Sequence, residues 1–267
     1  MSLKEKLNFI DQNEEGLLRK LIEFLKIQSI STDQNFYEPC KEAANWLVTH
    51  LRDLGFQATA HKTKGNPIVL ANSGSGSPHL LFYGHYDVQP IDPLESWDNP
   101  PFKPTIKPGL NGPVICARGA SDDKGQLMTF INACEAFIKI NGKLPCKISL
   151  LIEGEEETGS TSLGRFLELN KQHLKADHAL ICDTGMWNAQ TPAISTMLRG
   201  MLGEEVNIKA ANKDLHSGLY GGTAVNPIRE LARLITSLHD KNGRVTINNF
   251  YKGVHDLPKE IINQWSN

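Results

Sequence analysis

The chain has 267 residues, of which 40% are hydrophobic and 22% are charged, and its formal net charge is −2. This composition is typical of a globular protein with one large or two smaller domains, and it lacks the basic field that attracts nucleic acid or an anionic membrane. The N-terminal segment MSLKEKLNFIDQNEEGLLRK is too charged for a signal peptide, and no apolar run is long enough for a membrane span. Five scattered cysteines without a CxxC pair are typical of reduced thiols, so we expect a cytoplasmic protein.

Helical and strand patterns alternate along the first half of the chain. Apolar residues recur at helical spacing over residues 3–27 and again over about 38–54. The apolar runs IVLAN (68–72) and HLLFY (79–83) predict two buried strands joined by a Gly/Ser turn. An irregular, proline-rich segment follows at 90–113.

The alternation continues beyond this segment. From Lys124 the pattern predicts an amphipathic helix that ends at Gly142, followed by a strand at 147–154, a helix at about 162–173 and a strand at 178–183. Nearly continuous apolar strands that alternate with helices are typical of a parallel sheet covered on both faces. We therefore predict an α/β fold with a mainly parallel sheet flanked by helices.

The sequence changes in character near residue 195. The segment 204–218 alternates like a half-exposed antiparallel strand, and a helix is predicted at 225–238. We therefore predict two domains, a larger one at 1–194 and a smaller α+β domain at 195–267.

Ionisable side chains collect where the predicted strands end. In open α/β sheets, ligands bind outside the carboxyl ends of the strands. The residues in question follow three strands or precede the long helix: His85, Asp87, Asp122, Asp123, Glu155, Glu156, Glu157 and Asp183. So many carboxylates repel each other unless a positive charge lies among them. Lys124 and Arg118 are nearby basic candidates, but a pair of divalent ions is the more economical source of positive charge.

The residue types agree with a metal site. One imidazole and several carboxylates suit zinc or manganese. His85 and Asp87 are two residues apart and face the same side of an extended chain, so Asp87 could hold the ring N–H of His85. Taken singly, each motif has an ordinary explanation: a hydrogen-bonded pair for His85 and Asp87, a helix N-terminal acid for Asp122, and a solvated turn for EEETGS.

Five motifs resemble, in order, those of the co-catalytic zinc exopeptidases: GHYDVQP, ARGASDDKG, IEGEEETGS, ICDTG and DLHSGLYGG. That family includes carnosine-type dipeptidases, glutamate carboxypeptidase, acetylornithine deacetylase, succinyl-diaminopimelate desuccinylase and aminoacylase. The resemblance covers the chain from about residue 15 onward, and the motif sequences are most similar to those of the dipeptidase branch.

The resemblance implies a role for each matching residue. His85 and Asp183 would bind one metal ion, Asp122 would bridge both ions and Glu157 would bind the second. The remaining three residues would act in catalysis: Asp87 would orient His85, Glu156 would be the general base, and His216 would reach across a dimer to the substrate carbonyl oxygen.

The resemblance also implies the fold and the activity. It predicts a catalytic metallopeptidase domain at 1–194 and an incomplete lid domain at 195–267 through which the protein forms a homodimer. The expected function is metal-dependent hydrolysis of an amide bond in a small peptide, most simply a dipeptide, with Zn²⁺, or alternatively Mn²⁺ or Co²⁺, as cofactor. An N-acyl amino acid deacylase stays open as an alternative. Nucleic acid and membrane are not expected as partners.

One family feature is missing from the sequence. The family's closing histidine, which completes the second metal site, has no counterpart, because His239 and His255 lie in no motif that resembles it. We therefore expect that the chain is an N-terminal portion of a longer protein and that the second ion binds weakly. A catalytically inactive, metal-binding or dimerising remnant is the alternative from a different functional class.

Overall fold

The computed structural model describes residues 2–195 and 197–266, and the chain forms two compact units, Met1–Thr196 and Met197–Asn267. The helices of the first unit are α1 (Leu3–Leu25), α2 (Tyr37–Asp53), α3 (Lys124–Asn141) and α4 (Leu163–Asn170). Within the described residues, no helix is both long and apolar enough to cross a membrane.

The strands of the described residues all lie in the first unit. In chain order they are β1 (Gln57–His61), β2 (Ile68–Ser73), β3 (His79–His85), β4 (Thr105–Gly109), β5 (Gly112–Cys116), β6 (Lys147–Glu153) and β7 (His178–Ile181). β4 and β5 form a hairpin, and the other five form one sheet in the order β1-β2-β6-β3-β7. β3 is parallel to β6 and β7, whereas β2 is antiparallel to β1 and β6. Of these five strands, β2 therefore opposes the other four, which confirms the predicted mainly parallel sheet.

Helices cover both faces of the sheet, which explains the continuous apolar strands. Successive residues of β6 point to opposite faces, so Leu150 packs in one apolar cluster and Leu151 in another. The first cluster includes residues of α1, α2 and α3, namely Phe24, Leu47 and Leu127. Phe166 of α4 packs in the second cluster. Both faces of β6 are thus removed from water, as the pattern predicted.

The helix predictions are confirmed, with small differences at the ends. Ser2 and Glu5 form a capping box at the start of α1. α3 begins at Lys124 and ends at Asn141, and its C-terminal cap is Gly142, which has a φ of 72°. That left-handed conformation closes a helix at little cost only for a residue without a Cβ atom, so the glycine determines where α3 stops.

Three features of the first unit were not predicted. The strands at 68–72 and 79–83 were predicted without an order in the sheet, and β6 lies between them there. β1 was not predicted, since the sequence QATAH has a weak apolar pattern. The hairpin of β4 and β5 was also missed, because its prolines and glycines indicate an irregular loop.

The second unit contains α5 (Ser217–Tyr220), α6 (Pro227–Ser237) and α7 (Lys259–Ser266). The predicted helix at 225–238 is confirmed, with Pro227 in the first turn and the Asn226 side chain as its cap. The strand predicted within 204–218 is wrong, because the described residues there form no strand. A strand needs a partner for its backbone hydrogen bonds, and the described part of this unit offers no strand with which the segment could pair.

Candidate functional site

Three neighbouring parallel strands, β6, β3 and β7, end at the same edge of the sheet. His85 is the last residue of β3, Glu156 lies three residues beyond β6, and Asp183 lies two residues beyond β7. Asp122 lies two residues before α3. Parallel pairing therefore brings together side chains that are as much as 98 residues apart in the sequence.

The imidazole of His85 is the centre of this group. Its Nε2 atom lies 3.1 Å from Asp122 Oδ1, 3.6 Å from Asp183 Oδ2 and 4.0 Å from Glu156 Oε2. His85, Glu156 and Asp183 each offer a ligand atom within 4.8 Å of the other two. The His85 side chain is fully buried, whereas the side chains of Asp122, Glu156 and Asp183 are 62%, 36% and 31% exposed. The group is therefore open to solvent on its acidic side.

The other side of the His85 ring faces Asp87. Nδ1 lies 3.1 Å from the backbone oxygen of Asp87 and 3.4 Å from its Oδ1 atom. Both atoms are acceptors, so Nδ1 donates its proton on this side and Nε2 is the ring atom that faces the acids. The backbone N–H of His85 donates to Asp123 Oδ2 at 3.1 Å. The predicted pairing of His85 with Asp87 agrees with these contacts.

The carboxylate of Asp87 also organises the loop after β6. It is fully buried and accepts the backbone N–H groups of Glu156 at 3.3 Å and Glu157 at 3.1 Å. The hydroxyl of Ser31 donates to Asp87 Oδ2 at 2.6 Å. One buried carboxylate thus connects the imidazole to the two adjacent glutamates.

The acids of the group influence one another's pKa values. Burial, together with the neighbouring Asp183 and Asp122, raises the pKa of Asp123 to about 7. Burial also raises the pKa of Glu156 and the pKa of Glu157, and nearby carboxylates add to both shifts. Burial lowers the pKa of His85, but Asp87 and the other acids outweigh this effect and raise it to about 10. The site therefore strongly favours positive charge.

The two basic side chains considered as alternatives to metal ions are directed elsewhere. Lys124 is fully buried, and its Nζ atom donates to the carbonyls of Phe24 at 3.2 Å and Ile27 at 2.8 Å. The guanidinium of Arg118 donates to the carbonyl of Pro90 at 2.7 Å. Within the described residues, neither side chain forms an ion pair with the acids around His85.

The donor set fits a divalent ion. Two ligand atoms about 2.1 Å from one zinc ion, at the tetrahedral angle, lie about 3.4 Å apart. The distances from His85 Nε2 to the carboxylate oxygens, 3.1 to 4.0 Å, span that value. In addition, the buried Oδ1 atom of Asp123 has no hydrogen-bond partner among the described residues.

The structure places most of the predicted site residues in this group. Asp122 and Asp183, the predicted co-ligands of His85, both approach its Nε2 atom. Glu157, the predicted ligand of a second ion, accepts a hydrogen bond from the Gln89 amide at 2.7 Å. The assignment of each ligand to one ion or the other remains a prediction.

His216 lies in the second unit, directly before α5. It is exposed, and its Nδ1 atom accepts the backbone N–H of Gly218 at 3.0 Å. His216 is thus the N-terminal cap of α5. The proposed role at the substrate carbonyl remains a prediction.

The sequence reasoning missed two supporting residues. Ser31 contacts Asp87, and the buried Glu153 accepts hydrogen bonds from Tyr83 and Ser160. Glu153 is the second residue of the IEGEEETGS motif and could have been found there. Ser31 lies 56 residues before Asp87 and only the tertiary structure connects the two.

An α/β sheet with one imidazole and several carboxylates at its carboxyl edge defines a candidate metal-binding protein. The sequence profile of Peptidase family M20/M25/M40 matches residues 81–257. The chain therefore belongs to this family of metallopeptidases.

Similar proteins have dipeptidase names. Beta-Ala-His dipeptidase of Homo sapiens is 35% identical over 98% of this chain and 54% of its own length. Cys-Gly metallodipeptidase DUG1 of Candida albicans is 30% identical over 96% of this chain and 55% of its own length. The crystal structure of the M20 family metallo-carboxypeptidase Sso-CP2 from Sulfolobus solfataricus is 35% identical with a TM-score of 0.74, over 93% of this chain and 56% of that one. The chain thus spans about half the length of the relatives it matches.

Proposed function

We propose that this chain is the metal-binding part of a hydrolase that cleaves the amide bond of dipeptides. The observation that carries the proposal is the buried imidazole of His85, whose Nε2 atom faces carboxylates from three other segments. The names of the relatives, Cys-Gly metallodipeptidase and Beta-Ala-His dipeptidase, support dipeptides as the substrate class. The cysteines are unpaired thiols, which supports a reducing, cytoplasmic location.

His85, Asp122 and Asp183 would hold one divalent ion, and Asp122 would share a second with Glu157. We expect Zn²⁺, with Mn²⁺ or Co²⁺ as alternatives, because carboxylate-rich sites accept each of these. A divalent ion bound here polarises the amide carbonyl and lowers the pKa of a water molecule. Asp87 accepts the Nδ1 proton of His85 in a hydrogen bond, so that Nε2 would be the atom that binds the metal ion.

Glu156 would move the proton during hydrolysis. Its side chain is 36% exposed, so water and substrate can reach the carboxylate, while its backbone N–H is held by the buried Asp87. A carboxylate on a fixed backbone beside the reacting amide can take a proton from the attacking water and pass it to the leaving amine. This is the work of a general base that then acts as a general acid.

His216 would stabilise the negative charge on the substrate carbonyl oxygen. Because Nδ1 accepts the N–H of Gly218, a neutral ring carries its proton on Nε2, and that N–H is free to donate. By the family resemblance this histidine serves the site of a second copy, so a homodimer formed through the second unit is part of the proposal. Light scattering of the purified chain measures its oligomeric state.

A second candidate is release of the C-terminal residue from longer peptides. The observation in its favour is the 35% identity to a structure named as a metallo-carboxypeptidase. An N-acyl amino acid deacylase is the remaining enzymatic alternative. All three reactions hydrolyse an amide bond next to a free amino acid product, so one set of substrates distinguishes them.

The test is hydrolysis of Cys-Gly, β-Ala-His, an N-acyl amino acid and a tetrapeptide with added Zn²⁺ or Mn²⁺. We expect Glu156→Gln to lower kcat/KM for dipeptides by roughly 10²- to 10⁴-fold, because it removes proton transfer. The control is Glu168→Gln, a change at an exposed glutamate of α4. This variant should hydrolyse the dipeptides as fast as the parent does. Equal rates for the parent and Glu156→Gln would contradict the role of Glu156. Metal binding without hydrolysis of any substrate would overturn the enzyme proposal in favour of a non-catalytic metal-binding module.

A further inference from the structure

We infer that Ser31 is a positioning residue that holds Asp87, and through Asp87 the metal-facing imidazole of His85, in its reactive orientation. The inference rests on the proposed function. The Ser31 hydroxyl donates to Asp87 Oδ2 at 2.6 Å, which lies in the range of charge-assisted bonds from a hydroxyl to a carboxylate.

The segment that carries Ser31 is fixed along its length. Where α1 ends, the buried ammonium of Lys124 binds the carbonyl of Ile27 at 2.8 Å. The Ser29 hydroxyl then donates to the carbonyl of Tyr86 at 2.7 Å, and the backbone N–H of Val88 donates to the carbonyl of Ser29 at 2.9 Å. These contacts fasten the segment to the chain on both sides of Asp87. The backbone that carries Ser31 is therefore held in place beside the carboxylate of Asp87.

The carboxylate of Asp87 is held by donors from three separate parts of the chain. Oδ2 accepts from the Ser31 hydroxyl and from the N–H of Glu157, while Oδ1 accepts from the N–H of Glu156 and faces Nδ1 of His85. A fully buried carboxylate that loses a donor must rotate toward another one or stay undersatisfied. Rotation would turn the imidazole and shift the turn that carries both glutamates, so loss of the Ser31 hydroxyl should weaken metal binding.

Ser31 also lines a cavity. A cavity of about 380 Å³ is lined by Ser31 together with Tyr37, Lys64 and Glu155, among others. Water from a polar cavity could replace a deleted hydroxyl, so truncation to alanine is not a clean test. Valine is a cleaner test, because its two methyl groups exclude water from the position of the hydroxyl and supply no donor.

The experiment compares Ser31→Val with Ser31→Thr in the full chain, with Mn²⁺ alone as the probe in isothermal titration calorimetry. Valine and threonine have nearly the same shape, so the pair differs by the hydroxyl. We expect Ser31→Val to weaken Mn²⁺ binding about 10- to 100-fold, the effect typical of residues that orient a metal ligand. Ser31→Thr should bind within about twofold of the parent. Thr32→Val, an exposed change at the neighbouring residue, is the control and should bind as the parent does.

Each outcome decides the question. Ser31→Cys, with a thiol that donates weakly, is a second variant in case valine prevents folding, and it should also bind Mn²⁺ less tightly. If the parent binds Mn²⁺ and both variants bind it equally well, Ser31 is structural only and the inference is overturned, even if urea unfolding shows a loss of stability. If the parent does not bind Mn²⁺, the proposed function fails and the inference fails with it.

Discussion

β3 carries a buried histidine at each end, and the two have opposite environments. His79, the first residue of the strand, donates from Nδ1 to the carbonyl of Lys175 at 2.8 Å, and its Nε2 atom lies 2.7 Å from the Ser149 hydroxyl. His85, the last residue, directs Nε2 toward three carboxylates. Within the described residues, neither ring nitrogen of His79 forms an ion pair. The partners of His79 are neutral and satisfy both of its ring nitrogens. The carboxylates that face His85, by contrast, favour a positive charge between them.

The neighbouring strand β7 repeats the contrast with aspartates. Asp177, just before β7, accepts the backbone N–H of His79 at 2.7 Å and so ties β7 to β3. Asp183, just after β7, has its Oδ2 atom 3.6 Å from His85 Nε2. The same two residue types thus hold the amino end of the sheet together and form a candidate metal site at its carboxyl end. Burial alone therefore does not distinguish the two histidines, whereas the charge of their partners does.

The largest expected effect separates the two histidines. His85→Gln should weaken Mn²⁺ binding by more than about 100-fold, since residues that only orient ligands already account for 10- to 100-fold. His79→Gln should leave Mn²⁺ binding within about twofold and lower the free energy of unfolding by about 1–3 kcal/mol, because buried polar groups lose their partners. Calorimetry with Mn²⁺ and urea unfolding followed by circular dichroism measure these effects. Equal metal affinity for the two variants would refute the comparison.

A smaller effect is expected for the two aspartates. Asp183→Asn should weaken Mn²⁺ binding about tenfold or more, because losing one charge about 4 Å from a cation costs roughly 1–4 kcal/mol. Asp177→Asn should leave the affinity unchanged and lower the free energy of unfolding by about 0.5–1.5 kcal/mol. The same two measurements apply. A loss of metal affinity in Asp177→Asn would show that the two ends of the sheet are coupled.

The smallest expected effect concerns a third histidine, His50, and is a change in how the free energy of unfolding depends on pH. His50 stacks on Trp46, and its buried Nε2 atom has no partner among the described residues. Burial, with the nearby Lys20, lowers the pKa of His50 below its ordinary value of 6.5. As the pH falls below 6.5, the unfolded chain takes up a proton that the folded chain does not, so stability decreases by at most about 1.4 kcal/mol per pH unit.

The variant that tests this prediction is His50→Phe, which keeps an aromatic ring beside Trp46. Urea unfolding at pH 7.5 and 5.5, with metal removed by a chelator, should show a smaller loss of stability in the variant than in the parent. His173→Gln, at an exposed histidine, is the control and should lose as much stability as the parent. An unchanged pH dependence in His50→Phe would mean that His50 takes up its proton equally in both states.

Most of the helices, and the residue types that gather at the candidate site, could be predicted from the sequence. The pattern from Lys124 to Gly142 identified α3, because a helix depends on neighbours three and four residues apart and on its own cap. Strand neighbours could not be predicted in the same way. β6 pairs between β2 and β3 through contacts that span about 70 residues or more, and no local pattern encodes that order. The hairpin of β4 and β5 was lost for the opposite reason, since its turn residues dominate the local signal.

The sequence by itself determined the ligand types of the candidate site, because the identities of His85, Asp122, Glu156 and Asp183 and their places beside strand and helix ends are local properties. The tertiary structure alone decided which of these atoms meet and what supports them. The directions of Lys124 and Arg118 away from the acids, and the reach of Ser31 to Asp87, follow from packing between distant segments. The physical reason is that a ligand type is a property of one residue, whereas a binding geometry depends on distances between residues that only the folded sheet brings together.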